Sequence, residues 1–238
     1  MTNLDSMWDR ARDDLLIVTE GGERDVLLWE HSSRVARSAQ MIAAFPVVQA
    51  LKPEEIAVVA AGLYHDAGWV DRIRDGEMDR SEIFIRQIGN DHYERGAALM
   101  ESSLSGLAPE ESIGRAANAI RALNDRNATL IEAHVVSDAE SLDEFGLSAF
   151  WPTIRRGTLD GKGIKAAIDT WHRRREYQFW TARLNDSFRF DAVRELARQR
   201  LAKYERAMRD LEEHHDGSDI KAAHVAHSAE GLRKPAPK

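Results

Sequence analysis

The chain has 238 residues, of which 43% are hydrophobic and 31% charged, with a formal net charge of -7 and a pI near 5.7. That apolar content predicts a folded globular chain with a sizeable core, and the acidic balance argues against a general nucleic-acid binder, since nothing neutralises a phosphate backbone broadly. There is no cysteine, so disulfides and thiolate metal ligands are excluded, and any transition-metal site must use histidine, carboxylate and water.

No apolar run approaches the roughly 20 residues needed to cross a bilayer, and the start MTNLDSMWDRARDD lacks the basic-then-apolar order of a secretory signal. A cytoplasmic location without membrane attachment is expected. The periodicity is helical almost throughout, with neither strand alternation nor an internal repeat, so the expected fold class is all-α. Val35, Ala39 and Ile42 form a stripe with His31 at its N-terminal end, and Pro46 stops the run. Pro53 is read as a first-turn proline with Glu54 and Glu55 beside it, and Ile56, Val59, Ala60 and Leu63 then share one face up to the pair His65 and Asp66.

Pro109, Glu110 and Glu111 open a further helix with Ile113, Ala116, Ala117 and Ile120 inward. The stripe Ile131, Val135, Asp138 and Leu142 sets Asp138 on an otherwise apolar face. Ile164, Ile168 and Trp171 are in phase in the next helix, and Ala197, Leu201, Tyr204, Met208 and Leu211 define a long final one. From about Glu213 the large apolar periodicity stops. The expected organisation is one domain over residues 1–212 and a flexible tail over 213–238. Two polar connectors, VDRIRDGEMDRSEIFIRQIGND and NDRNAT, are long enough to carry substrate contacts.

His31, His65, Asp66 and Asp138 each lie in or beside an apolar helical face, where an imidazole or carboxylate is costly to bury unless hydrogen-bonded or bound to a metal. Each alone is better read as a satisfied core group; four together suggest a site. Their order resembles the H…HD…D signature of the HD-domain metal-dependent phosphohydrolase superfamily, over about residues 25–145. SDAESLD is similar to that family's DAD-x-LD segment, with Glu140 in place of the second aspartate, and YQFW with AVRELARQR resembles the C-terminal helices of a bacterial subgroup.

The resemblance implies a compact helical bundle and one divalent transition metal ion, Mn, Fe, Co, Ni or Zn, held by His31, His65, Asp66 and Asp138. It implies hydrolysis of a small phosphate ester, a nucleotide among the candidates, by metal-activated water. With Gly68 as a helix terminator just beyond, His65 and Asp66 would both turn toward the ion. Asp66 would double as a proton acceptor, and His92 and Asp71 are further catalytic candidates. Arg72, Arg74 and Arg80 are the expected phosphate contacts. Members with two ions carry another histidine some way after the equivalent of His92. No histidine lies between His92 and His134, which favours one ion.

The alternatives are a di-iron oxygenase and a non-catalytic nucleotide-sensing module. Six tryptophans and long amphipathic helices are compatible with a homodimer. His134 is expected to be solvent-facing or to stand behind the ligands, and His214, His215, His224 and His227 are expected to have no role. Lys162 and Lys165 make a weak phosphate loop, Arg173, Arg174 and Arg175 an exposed helix face, and Trp171, Tyr177 and Trp180 core.

Overall fold

The computed structural model describes residues 3–19, 21–84, 87, 89 and 91–231. It is all-α, 74% helical, with 13 α-helices and only one two-stranded ribbon among the described residues. Helix α1 (Asn3–Leu15) leads into that ribbon, β1 (Ile17–Val18) paired antiparallel with β2 (Arg24–Asp25). Helices α2 (Leu27–Ala43), α3 (Pro46–Gln49), α4 (Glu55–Tyr64) and α5 (Gly68–Arg74) follow. Then come α6 (His92–Leu104), α7 (Glu110–Arg121) and α8 (Ile131–Asp143). The C-terminal part is α9 (Phe150–Leu159), α10 (Ile164–Glu176), α11 (Phe179–Asp186), α12 (Asp191–Asp216) and α13 (Ser218–Gly231). No helix among the described residues is long and apolar enough to cross a membrane.

Helix α4 is the axis of the domain. Its sequence EIAVVAAGLY is apolar all round, so every face must be covered, and α2, α6, α7 and α8 pack against it. The backbones approach closely because small residues stand at the crossings. A Cβ on Gly62 would lie 2.8 Å from the Ala36 Cα, and one on Gly96 would lie 3.0 Å from the Tyr64 carbonyl. Pro53 lies ahead of the helix rather than in its first turn. Glu54 is the N-cap instead, its carboxylate accepting from the Ile56 and Ala57 amides, which satisfies two donors that a proline cannot cap.

Two buried carboxylates, Glu132 and Asp14, are paired. Glu132, fully buried, accepts from the Glu54 amide at 2.8 Å and from Arg115 Nη2 at 2.7 Å. The Tyr64 hydroxyl donates to Asp14 at 2.7 Å, while Arg10 holds the same carboxylate. Beyond residue 212, the end of α12 and then α13 continue the chain as helix, with side chains over 213–227 almost all exposed; residues 232–238 lie outside the described residues.

Candidate metal centre

The pair His65 and Asp66 sits where α4 gives way to α5. Helix α4 ends at Tyr64, and residues 65–67 make a tight turn, with the Ala67 amide donating to Tyr64 O and the Trp69 amide to Asp66 O. Tightening to three-residue spacing departs from regular helix geometry and allows two successive side chains to aim at one point. Gly68 does not terminate the helix through a left-handed conformation. It opens α5, and glycine is required by contact: a Cβ there would stand 2.3 Å from the His92 carbonyl oxygen. The expected loop after the pair is therefore helical at its start, so Asp71, Arg72 and Arg74 belong to α5.

His31, in the second turn of α2, brings its Nε2 to 3.1 Å from His65 Nε2, and Asp66 Oδ2 lies 3.5 Å from both. Donor atoms about 2.0 to 2.2 Å from a common ion at cis or tetrahedral angles stand about 3.0 to 3.5 Å apart, so this triangle has the dimensions of one face of a coordination sphere. The opposite ring atoms are pinned. His31 Nδ1 meets Asp143 Oδ2 at 2.9 Å, and His65 Nδ1 meets the Gly62 carbonyl at 2.9 Å. Each anchor takes the Nδ1 proton and leaves the Nε2 lone pair facing inward, as a ligand requires. The donor chemistry and the spacing fit a divalent ion.

Asp66 Oδ1 accepts from His92 Nε2 at 3.0 Å. His92 is fully buried behind the carboxylate, packed on Trp69, and does not line the cavity, so it positions Asp66. Although burial opposes its charge, Asp66 is held well below the usual carboxylate range by His65, His31 and His92. Burial lowers His65 to about 4. It works the same way on His31, but hydrogen bonds to Asp143 and Asp66 outweigh it and raise that group to about 9.

Asp138 does not join them. It is fully buried, and its two oxygens accept from the Arg189 amide at 2.8 Å and the Phe190 amide at 3.0 Å, tying the start of α12 onto α8. Those amides satisfy the carboxylate that the apolar stripe had marked as needing a hydrogen bond or a metal, while burial still raises it to about 6. Glu140 lines the cavity instead, with His31, Asp66, Asp143 and Glu144. Residues 140, 143 and 144 follow helical i, i+3, i+4 spacing on one face of α8, whereas 138 and 140 point about 200° apart. Burial and the Asp66 charge push Glu140 up to about 8. The signal for Glu140 was present in its place at the second acid of SDAESLD.

The three expected phosphate arginines are committed elsewhere. Arg72 bonds Glu77 and Asp91, Arg74 donates to the Asp14 carbonyl, and Arg80 pairs with Asp25. None lines the cavity, and Asp71 pairs outward with Arg95. Arg174, expected on an exposed face, lies over the rings of Phe179 and Trp180 and lines the cavity, with no carboxylate partner among the described residues. Trp171 and Trp180 are core, but Tyr177 is 80% exposed. His134 bonds the Ala128 carbonyl, a structural contact.

The cavity holds about 330 Å³. It shares Phe84, Pro152, Thr153 and Arg174 with a larger cleft of about 950 Å³ between α9 and α10, whose walls carry Arg155, Arg156, Lys162 and Arg173 beside Asp160, Asp169 and Glu176; Arg155 pairs with Asp25, and Arg156 and Lys162 with Asp160. Phe84 stands edge-on to His31 with ring centres 4.8 Å apart, at the junction of the two.

No family model matches the chain, and no curated protein matches it. Among solved structures, Bacillus subtilis YpgQ in complex with ADP superposes with a TM-score of 0.56 at 22% identity, over 89% of this chain and 94% of that one. A second crystal structure of Bacillus subtilis YpgQ gives 0.57 at 21% identity, over 89% and 94%. A predicted HD superfamily hydrolase from an uncultured Thermotogales bacterium gives 0.53 at 18%, over 89% and 93%. At these identities the likeness is one of fold: the chain shares the all-helical fold of YpgQ and of that predicted HD superfamily hydrolase.

Proposed function

We propose that this protein is a metal-dependent phosphohydrolase acting on a small phosphate ester, with a nucleotide as the preferred substrate class. The observation that carries the reading is the triangle of His31 Nε2, His65 Nε2 and Asp66 Oδ2 at 3.1 to 3.5 Å, in the wall of a cavity that adjoins a larger cleft. His31, His65 and Asp66 hold the ion, with Glu140 as the fourth ligand from the same wall. Lewis acidity toward a phosphoryl oxygen and the attacking water is what a bound divalent ion supplies.

The chain's own groups do the rest. Asp66 is kept charged and aimed by His92, which suits it to hold a cation and orient the water; a carboxylate held so low orients a water better than it accepts a proton. Arg174 sits at the junction of cavity and cleft with no carboxylate paired to its guanidinium among the described residues, where charge spreading over phosphoryl oxygens needs a cation. The cleft is large enough for a nucleoside beyond the reacting phosphate. That a fold relative, YpgQ, was crystallised with ADP supports the nucleotide class.

The test is phosphate release from nucleoside mono-, di- and triphosphates and from simple phosphoesters, in the presence of each candidate metal. Turnover is expected with at least one nucleotide, with Asp66→Ala inactive and Arg174→Ala raising KM by about tenfold, as for loss of a charge-assisted phosphate contact. Release that persists in His65→Ala/Asp66→Ala would sink the proposal. About two irons per chain with an oxygen-dependent spectrum would point to oxidative chemistry instead.

A further inference from the structure

A second concavity, of about 350 Å³, lies between α2, α12 and the turn that follows α8. Four cations line it, Arg34 and Arg37 from α2 and Arg200 and Lys203 from α12, against one carboxylate, Asp143. In a chain with 33 basic and 40 acidic residues, four cations beside one acid run against the overall balance. Arg34 neutralises Asp143, donating from Nε to Oδ1 and from Nη2 to Oδ2, both at 2.9 Å. The other three have no carboxylate partner among the described residues: Arg37 lies over the Trp8 ring, and Arg200 Nη1 donates only to the Leu142 carbonyl at 3.2 Å.

Arg74 and Arg189 likewise donate only to carbonyls, so what sets this place apart is the gathering of such cations around one concavity, with Arg37 and Lys203 exposed at its rim. Arg72, Arg95, Arg121 and Arg155 each bond one or more carboxylates. Arg200 is half-buried, and burial lowers its pKa from the ordinary value even though the charge of Asp143, already paired with Arg34, works the other way. Its stem is also held in place. Gly146 turns with φ of 98°, and a Cβ there would stand 3.3 Å from the Arg200 Cβ, so a glycine lets the turn close over the arginine. Ser38 and Ser148 add neutral hydroxyl donors to the same walls.

We infer that this concavity is a phosphate-binding site distinct from the metal centre, taking either free phosphate or the terminal phosphate of a nucleotide on Arg37, Arg200 and Lys203. The two cavities have Asp143 in common and no other wall residue. Asp143 also holds His31 Nδ1, so the second site stands one ion pair away from a proposed metal ligand. Convergent guanidinium and ammonium groups in a concave, partly desolvated setting are what phosphate recognition requires.

The test is titration calorimetry on the full chain with inorganic phosphate and, separately, ADP. It is carried out in the His65→Ala/Asp66→Ala background so that binding through a metal is absent, or in wild type with chelator should that variant not fold. Binding of at least one probe is expected to persist there and to weaken by about tenfold or more on adding Arg200→Ala and Lys203→Ala, the loss of two charge-assisted contacts. Phosphate alone sufficing identifies the free anion; ADP binding without phosphate binding identifies the nucleotide. Arg37→Glu, at an exposed position, should weaken the same binding and guards against a folding defect in the double substitution. Absence of binding for both probes, or affinities unchanged by all three substitutions, would overturn the inference. Turnover in the metal-loaded wild type reports separately on the hydrolase reading.

Discussion

His31 and His65 face each other through their Nε2 atoms at 3.1 Å, each ring fixed from behind by a partner at Nδ1. With both Nδ1 atoms engaged outward, the two Nε2 atoms and the Asp66 carboxylate converge on one point, which a divalent cation can occupy. Binding to the folded chain alone stabilises it by mass action, about 2.7 kcal/mol at a hundredfold excess over Kd. A chelator is therefore expected to lower Tm by several degrees, with recovery on adding a divalent ion, and His65→Ala should show neither response in a thermal scan.

Asp143 sets the orientation of His31. Its Oδ2 accepts from His31 Nδ1 while Arg34 holds both carboxylate oxygens. Removing a carboxylate behind a histidine ligand costs roughly 10- to 100-fold in metal affinity. Asp143→Asn should weaken metal binding by that factor in a competition titration, while the far-ultraviolet circular dichroism spectrum stays helical.

Glu140 and Asp138 should separate cleanly. Glu140→Gln is expected to reduce the metal bound after dialysis by a large fraction, with Tm in chelator close to that of wild type. Asp138→Asn should do the reverse. It replaces an oxygen that accepts from the Arg189 or Phe190 amide with an NH2 group, destabilising by about 1 to 3 kcal/mol, and leaves metal content near one per chain. Elemental analysis paired with urea denaturation reads both effects.

Gly68→Ala tests the joint between the metal turn and α6. Because an added Cβ would fall 2.3 Å from the His92 carbonyl, α5 and α6 must part, and His92 moves from Asp66. Overpacking of this kind costs about 1 to 3 kcal/mol. Lost stability together with lowered turnover is the expected result; a variant as stable and active as wild type would show that the contact relaxes freely.

Asp25 gives a pH dependence away from the metal. Burial works to raise its pKa, but hydrogen bonds from Arg155 and Arg80 and from the Leu27 amide prevail, and the carboxyl titrates below its ordinary value of 3.8. A depressed folded-state pKa means the stabilisation is complete above the unfolded value and is lost as pH falls through the folded one. Asp25→Asn should therefore be less stable than wild type by about 1 to 2 kcal/mol above about pH 5, with the gap closing on acidification below about pH 4. Chemical denaturation across that range measures it.

The helical character, the burial of α4 and the cluster of His31, His65 and Asp66 were legible in the sequence. Apolar spacing and capping residues act locally, and the adjacent His65 and Asp66 can serve one ion only at a helix end. Less legible were which carboxylate of α8 and which arginine reach the cavity. The stripe Ile131, Val135, Asp138, Leu142 correctly marked Asp138 as buried, yet burial there is satisfied by the amides of Arg189 and Phe190, which come from a segment some fifty residues away. Arg72, Arg74 and Arg80 follow the metal turn along the chain, but Glu77, Asp91, Asp14 and Asp25 claim them.

What the sequence by itself determined is therefore what depends on neighbours within a few turns: which segments are helical, which faces are apolar, and that two histidines and an aspartate lie where burial demands a partner. Only the tertiary structure decided which face of α8 meets α2 and α4, and so that Glu140 rather than Asp138 enters the cavity. It also decided that Arg174, from α10, reaches the cavity while the arginines next to the metal turn do not. The physical reason is that a buried carboxylate or a guanidinium is satisfied by whichever partner packing delivers, and that partner's distance along the chain leaves no periodic trace.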